Sequence, residues 1–188
     1  DITELTNQNV TVGVEYSDDS HTKQYSLNGS SWLLYTNAIV FEKNGTLYAR
    51  GIDEAGNISE VVNYVVSNID KIAPTTPTFT ASSLVPTQDD VTVKINYSAD
   101  SETKFYSLDK GETWLDYTEG QEFVFDENGE IWAKSADLIG NMSEVGVHVV
   151  NVIDREAPDA PVLTPDITEK TNKPVTVTLS FFISIFII

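Results

Sequence analysis

The amino-acid sequence predicts an all-β protein in which antiparallel β-sandwiches follow one another in tandem. An internal repeat is the first observation, since the Val-Thr-Val triplet at 10–12 returns at 91–93 and at 175–177. Strand-like alternation is the second, and Asn and Gly turn signals at regular spacing are the third. A unit of roughly eighty residues repeated in this way is typical of an array of similar domains. We therefore expect two complete sandwiches and the first strand of a third, with a small closed barrel as the alternative architecture.

Alternation and turn residues place the individual strands. Apolar side chains at 10, 12, 14 and 16 share one face of a segment that recurs at 91–97, which predicts a half-buried strand in each copy. The Asn28-Gly29 pair predicts a hairpin turn after the strand around Tyr25. Asn44-Gly45 predicts a second hairpin that joins 39–41 to 47–49, and Asn128-Gly129 is its match. A sustained period of 3.6 residues is missing from the sequence, so no helix is predicted.

Proline-containing joints separate the copies. Asp70 opens the sequence Asp-Lys-Ile-Ala-Pro-Thr-Thr-Pro, and Asp154 opens the matching sequence Asp-Arg-Glu-Ala-Pro-Asp-Ala-Pro. Closely spaced prolines favour extended backbone, which predicts a short, semi-rigid spacer. We therefore divide the chain into a first repeat at residues 1–77, a second repeat at 78–161 and a truncated third repeat at 162–188.

The end of the chain departs from the repeat. Where the pattern predicts a polar loop after residue 179, the sequence reads Ser-Phe-Phe-Ile-Ser-Ile-Phe-Ile-Ile. This segment is uncharged and has high β-propensity. It is also shorter than the roughly 20 residues that a membrane-spanning helix needs. We interpret residues 180–188 as foreign to the repeat unit and predict no membrane insertion.

Acidic residues dominate the charge. The chain has 29 Asp and Glu residues against 11 Lys and Arg residues, which gives a formal net charge of −18. A surface of this sign repels phosphate backbones, so we expect no nucleic-acid partner. It favours solubility, mutual repulsion of chains and attraction of cations. The sequence contains no cysteine, which excludes disulfides and thiolate metal sites.

Comparison of the two copies argues against catalysis. Neither His21 nor His148 has a histidine at the matching position of the other copy. Asp18, one of two adjacent carboxylates, is replaced by Ala99 in the second copy. Neither a histidine-activated nucleophile nor a carboxylate pair therefore recurs. The sequence predicts a chain that is not an enzyme.

Aromatic and turn residues recur together in the two copies. The segment Tyr-Ser-Leu-Asn-Gly at 25–29 precedes Trp32 and Tyr35, and its match at 106–109 precedes Trp114 and Tyr117. These segments resemble the bacterial Ig-like repeats of surface proteins and adhesins. The joint is similar to the Asp-x-x-Ala-Pro spacer between such repeats, and the resemblance covers residues 1 to about 179. It implies Ig-like or fibronectin-III-like sandwiches exposed at the bacterial cell surface. The partners that it implies are neighbouring repeats and a host protein or glycan.

Calcium is the cofactor that the resemblance implies, because some members of this class hold calcium at the joints between repeats. The candidate ligands are carboxylate and amide side chains that recur at turns and joints: Asp53, Asn57, Asp70, Asp137, Asn141 and Asp154. Such oxygen ligands suit a hard cation. The alternative interpretation is that they cap backbone amides in their own turns. Two features differ from what a cation site requires. A basic residue, Lys71 or Arg155, follows each joint aspartate, and the second copy has Leu-Ile at 138–139 in place of the residues at 54–55.

Recurring aromatic residues are the second candidate site. Trp32 and Tyr35, matched by Trp114 and Tyr117, are candidates for a platform on which a sugar ring stacks. The alternative interpretation is packing in the core or at a sheet edge, since aromatic side chains bury large areas.

These observations predict a non-catalytic stalk or adhesion segment of a bacterial cell-surface or secreted protein. The alternative function is a carbohydrate-binding accessory module of a secreted glycan-degrading enzyme. Exposed ring faces on Trp32 and Trp114 favour that alternative, whereas burial of both opposes it.

Overall fold

The computed structural model describes residues 3–180, and this part of the chain consists of strands, turns and loops without a helix. The first repeat contains β1 (Val10–Val12), β2 (Thr22–Ser26), β3 (Leu33–Leu34), β4 (Ile39–Phe41), β5 (Gly45–Ile52) and β6 (Val62–Val66). The second contains β7 (Thr78–Ala81), β8 (Val91–Asn96), β9 (Thr103–Ser107), β10 (Leu115–Asp116), β11 (Glu122–Phe125), β12 (Gly129–Ala136) and β13 (Gly146–Val150). The third contains β14 (Val162–Pro165) and β15 (Val177–Ser180). The predicted all-β class is confirmed.

A four-stranded antiparallel sheet occurs in both repeats with the same strand order. It is β3-β2-β5-β6 in the first repeat and β10-β9-β12-β13 in the second. The register is also the same, because Tyr25 lies opposite Ala49 and Tyr106 lies opposite Ala133. The hairpin predicted at Asn28-Gly29 is confirmed, since β2 pairs with β3. Its glycine has a φ of 73°, a conformation that glycine adopts without steric cost.

The hairpin predicted at Asn44-Gly45 is wrong. β4 pairs with β1, whereas β5 pairs with β2 and β6, so the chain passes from one sheet to another at this point. The Asn44 side chain binds the backbone of Ile69, which lies 25 residues later in the sequence. The contact with Ile69 requires an amide side chain, which explains why an asparagine stands before Gly45 although no hairpin turn forms there.

The second sheet differs between the repeats. β8 lies between β11 and β7, whereas β1 pairs with β4 alone among the described strands. The alternation at 10–16 and 91–97 predicts strands of similar length, but β1 ends at Val12 while β8 continues to Asn96. β8 also pairs with β7 from Val93 to Asn96, and this second ladder carries the strand past Lys94, where its ladder with β11 ends. The sequence did not predict β7, in which Phe79 is the one large apolar residue.

Each repeat has its own cluster of buried apolar side chains. The cluster of the first repeat contains Val10, Phe41, Leu47, Val66 and Ile69. The cluster of the second contains Val91, Val93, Ile95, Phe123, Ile131, Ala133 and Val150. Leu47 and Ile131 occupy matching places on β5 and β12. Their burial explains the hydrophobic positions that alternate along these strands.

The start of the third repeat contains two strands, where the sequence predicted one. β14 and β15 are antiparallel, with Leu163 opposite Leu179. Every residue of both strands is exposed, because the structure packs no other strand against them in the described chain. Most of the hydrophobic segment at 180–188 lies outside the described residues, so its interpretation as foreign to the repeat stays a prediction.

Candidate functional site

The joint after each repeat is tied to that repeat by backbone hydrogen bonds. The Thr6 N–H donates to the Asn68 carbonyl at 2.8 Å, and the Asp70 N–H donates to the Thr6 carbonyl at 2.8 Å. Thr87 makes the corresponding two bonds in the second repeat, at 2.9 and 2.8 Å. Pro74 and Pro77, farther along the first joint, are buried. The first joint is therefore a packed part of the structure and not a free spacer.

An asparagine side chain secures each joint from the side. Asn44 Nδ2 donates to the Ile69 carbonyl, and the Ile69 N–H donates to Asn44 Oδ1, both at 2.9 Å. Asn128 and Ile153 form the same pair of bonds at 3.0 and 2.9 Å. We call each pair an asparagine clamp. An amide presents a donor and an acceptor side by side, so it satisfies both backbone groups of one residue.

The basic residue of each joint points back to its own repeat. Lys71 Nζ donates to Asn9 Oδ1 at 2.6 Å. Arg155 forms an ion pair with Asp90, the residue that matches Asn9, and also donates to the Asp126 carbonyl, both at 2.6 Å. These contacts explain why a cationic residue follows each joint aspartate, where a bound calcium ion would repel it.

An Asp–Asn pair closes the corresponding turn in each repeat. Asn57 donates its backbone N–H and its Nδ2 to the two carboxylate oxygens of Asp53, both at 2.8 Å. Asn141 donates to Asp137 with the same two distances. The hydrogen bonds from Asn57 hold the pKa of Asp53 below its usual value. For Asp137 desolvation is the largest influence and raises the pKa, but the bonds from Asn141 and neighbouring amides outweigh it and lower the pKa.

The Asp–Asn turn of the second repeat binds the joint of the first. Asn141 Nδ2 donates to the Asp70 carbonyl at 3.1 Å and lies 3.4 Å from the Ile72 carbonyl. In the opposite direction, Asn7 Nδ2 of the first repeat donates to the Ile139 carbonyl at 3.1 Å. Two amide side chains, one from each repeat, thus cross the boundary between the repeats. This arrangement can restrict the movement of one repeat relative to the other.

The six candidate calcium ligands fall into three groups. At the first joint Asn141, which also binds the Asp137 carboxylate, contacts the backbone carbonyl of Asp70. Asp53 and Asn57 share one turn of the first repeat, and Asp154 lies at the second joint. Within residues 3–180, no three His, Cys, Asp or Glu side chains are grouped so that they could hold a metal ion. The Asp70 and Asp154 carboxylates accept the N–H groups two residues ahead, at 2.9 and 3.0 Å. The oxygens that the calcium hypothesis requires are therefore already hydrogen-bond acceptors.

Calcium at the first joint stays a prediction, and a thermal melt tests it. The hypothesis requires the melting temperature to fall when EDTA replaces calcium, because a ligand that binds the native state stabilises it. Asp137→Asn removes one ligand charge and must abolish that fall. Asp109→Asn is the matched control, since Asp109 lies in the β9–β10 turn and binds Ser107 and Thr113. A melting temperature that EDTA leaves unchanged would contradict the hypothesis.

The two recurring tryptophans each carry a cation on one ring face. The Arg50 guanidinium lies 4.0 Å from the centroid of Trp32, and Lys134 Nζ lies 4.0 Å from the centroid of Trp114. Gln24 Oε1 accepts a hydrogen bond of 2.8 Å from Arg50 Nε and holds it in place. Both indole side chains are half-buried. The cation thus occupies a ring face that a sugar would otherwise contact, and stacks there by cation–π attraction.

The recurring tyrosines pack with other tyrosines of the same repeat. The Tyr35 ring centroid lies 5.3 Å from that of Tyr16, and the Tyr117 centroid lies 4.9 Å from that of Tyr97. The Val14 N–H donates to Tyr35 Oη at 3.0 Å. Burial, with a smaller contribution from Tyr35, raises the pKa of Tyr16 to about 12. Each of the four candidate aromatic residues therefore has a contact within its own repeat, and sugar stacking on them stays a prediction.

Sequence reasoning missed several residues of the joint. Asn44 and Asn128 recur, but the glycine after each one directed the interpretation to a hairpin. The recurrence of Ile69 and Ile153 ahead of the joint aspartates was the signal that could have connected the two segments. Asn7 carried no signal, because the matching residue of the second repeat is a glutamine.

No protein-family model matches this sequence, and a comparison with curated proteins finds no match. Among residues 3–180 there is no helix with the length and hydropathy needed to cross a membrane.

Proposed function

We propose that this chain is a non-catalytic stalk segment of a bacterial cell-surface or secreted protein, built from tandem Ig-like β-sandwiches. Its role is to hold a binding or catalytic part of the parent protein at a distance. The matching four-stranded sheets, the separate buried clusters and the repeated asparagine clamps support this proposal. A direct adhesive role toward a host protein or glycan is the second part of the same proposal, and it rests on the resemblance alone.

The observation that carries the proposal is the pair of amide contacts across the first joint. Asn141 reaches the joint backbone at Asp70, and Asn7 reaches the Asp–Asn turn at Ile139. A stalk requires that successive repeats keep their relative orientation, because free rotation at each joint would shorten the reach of the array. Hydrogen bonds in both directions across one boundary restrict such rotation.

The acidic charge fits the same role. With a net charge of −18, neighbouring stalks repel one another and stay dispersed. Few of the acidic groups are neutralised by pairing in the described chain, where Glu119, Glu122, Glu130 and Asp90 form the ion pairs. The remaining acidic side chains keep the surface strongly negative.

A distance measurement between the repeats tests the stalk. The chain contains no cysteine, so Glu42→Cys and Glu112→Cys introduce one specific label in each repeat, both at exposed positions. Single-molecule energy transfer between the two labels is expected to show one narrow distance distribution. Combined Asn7→Ala and Asn141→Ala substitutions are expected to broaden it, because they remove the hydrogen bonds that cross the joint.

Asn57→Ala is the matched control for this measurement. Asn57 occupies the same place in the first repeat as Asn141 in the second, and its backbone N–H and side-chain amide both donate to Asp53 of its own turn. The control is expected to leave the distance distribution unchanged. A broad distribution in the unsubstituted chain would contradict the proposal of a stiff stalk.

A further inference from the structure

Parallel backbone pairing occurs in two places within residues 3–180, and both lie where a repeat passes into its joint. The ladders between the named strands are all antiparallel. In contrast, Thr6 bridges Ile69 in parallel, and Thr87 bridges Ile153 in the same way. The segment that precedes β1 or β8 thus runs beside the segment that follows β6 or β13, and in the same direction. When the outer ends of two such segments are pulled apart, the segments slide along each other and do not peel apart.

In the second repeat, the chain enters and leaves at opposite ends of β13. Pro77 lies beside the start of β13, since a Cβ added to Gly146 would collide with the Pro77 carbonyl oxygen. Ile153 follows the last residue of β13, Val150. The structure describes the chain on both sides of this repeat. A pull between the two joints therefore acts along the length of β13.

Arg155 binds the leaving segment to the entering one. Its Nε donates to the Gln88 carbonyl at 2.9 Å, and its Nη2 pairs with Asp90 at 2.6 Å. The backbone of Thr87 adds two hydrogen bonds, of 2.9 and 2.8 Å, to groups on either side of Ile153. The two segments are therefore joined by backbone and side-chain bonds together.

The turn before β12 binds the leaving segment from a second side. Asn128 clamps both backbone groups of Ile153, and Arg155 Nη1 donates to the Asp126 carbonyl at 2.6 Å. All of these bonds hold residues 152–155, so a pull along β13 loads them together. Bonds that share a load must break at nearly the same time, whereas bonds at the end of a peeling strand break one after another. The resistance to a pull is therefore greatest along this direction.

We propose that Thr87, Asn128 and Arg155, together with the segment 152–155 that they bind, form a latch that keeps the repeat folded when the stalk is pulled along its length. The ladder of β7 with β8 shares the load, because β7 lies between the first joint and Thr87. The proposal rests on the stalk function, since a stalk transmits any pull on the part that it holds. Forced unfolding depends on the rate of unfolding, which the latch slows.

The first repeat carries matching contacts. Thr6 and Asn44 bind the segment around Ile69, and Lys71 binds Asn9 of the entering segment at 2.6 Å. Because these contacts recur, the latch belongs to the repeat unit and not to one copy of it.

Single-molecule force measurements on the full chain test the latch through the direction of the pull. The chain contains no cysteine, so handles attach specifically to Thr75→Cys and Asp159→Cys, two exposed positions in the joints on either side of the second repeat. A second arrangement uses Glu112→Cys with Asp159→Cys. Glu112 lies after β9, at the end of the sheet where β13 also ends, because β9 and β13 are both antiparallel to β12. The first arrangement is expected to need the higher unfolding force, since the second peels the leaving segment from its end.

Substitutions identify the contacts that resist the pull. Arg155→Ala and Asn128→Ala are each expected to make the second repeat unfold at least about tenfold faster at constant force in the first arrangement, because each removes at least two hydrogen bonds of the latch. Lys94→Ala is the matched control. It removes an ion pair of 2.6 Å with Glu122, which is as long as the Arg155–Asp90 pair but joins β8 to β11. The control is expected to change the unfolding rate by no more than about threefold.

Equal unfolding forces in the two arrangements would overturn the latch, as would an unfolding rate that Lys94→Ala raises as much as Arg155→Ala does. The comparison of the two arrangements needs no substitution in the latch, so it decides the matter even if a variant fails to fold. All attachment points lie in the second repeat or its joints, so the result does not depend on how the two repeats are oriented. The energy-transfer measurement reports that orientation, and failure of the stalk is therefore distinguishable from failure of the latch.

Discussion

Replacement of Ile131 by alanine is expected to lower the free energy of unfolding of the second repeat by about 2–5 kcal/mol. Ile131 lies at 0% exposure in the apolar cluster of that repeat, so the truncated side chain leaves a cavity. Leu47→Ala, at the matching place in β5, is expected to destabilise the first repeat by a similar amount, since Leu47 is 2% exposed. Urea denaturation monitored by tryptophan fluorescence measures both effects, and calorimetry measures them independently.

Each substitution is expected to act on one repeat. The two buried clusters contain no residue in common, so Ile131→Ala and Leu47→Ala should shift different unfolding transitions. Leu34→Ala and Leu115→Ala are the matched controls, because these leucines are 67% and 51% exposed. Their effects are expected to stay within about 0.5 kcal/mol. A single transition that both core substitutions shift equally would contradict the division into separate folding units.

Replacement of Asn128 by alanine is expected to destabilise the second repeat by about 1–3 kcal/mol. The substitution removes two hydrogen bonds, of 3.0 and 2.9 Å, and leaves both backbone groups of Ile153 without this partner. Asn44→Ala is expected to destabilise the first repeat in the same way, because the clamp there binds Ile69. Ile69 is 7% exposed, so water does not readily replace the lost bonds there. We therefore expect Asn44→Ala to have the larger effect of the two.

The control for the asparagine clamps is Asn37→Ala. Asn37 is exposed, and its side chain forms a single hydrogen bond of 3.4 Å with its neighbour Thr36. Its replacement is expected to change the free energy of unfolding by less than about 0.5 kcal/mol. If Asn44→Ala has an equally small effect, the clamp does not contribute to stability. Thermal and urea denaturation monitored by circular dichroism distinguish these outcomes.

Alternation in the sequence located these strands because their partners impose it, although β1 ends at Val12, before the alternation at 10–16 ends. Leu47 and Ala49 point to the core of the first repeat, and Ile131 and Ala133 do the same in the second. β7 and β14 escaped prediction because they are short strands at the edge of a sheet. An edge strand pairs with a neighbouring strand along one edge only, and its other edge faces water. It therefore needs few apolar residues.

Part of the first joint could be located from the sequence. The recurrence of Asp137 and Asn141 identified a turn that the structure places against the first joint, and the paired hydrogen bonds explain why both residues recur. The contact of Asn141 with Asp70 joins residues far apart in sequence and could not be derived from local patterns. Asn7 was missed because no residue of its own kind occupies the matching position.

The amino-acid pattern was enough to establish that the protein is all-β, that its unit repeats, and which residues recur at turns and joints. These properties depend on local alternation, turn chemistry and self-similarity, all of which are visible along one chain. Three-dimensional contacts were needed to show that Asn44 clamps the joint and that amides cross between the repeats. Those properties depend on contacts between segments that are distant in the sequence. The local sequence around an asparagine does not show which distant backbone group its amide binds.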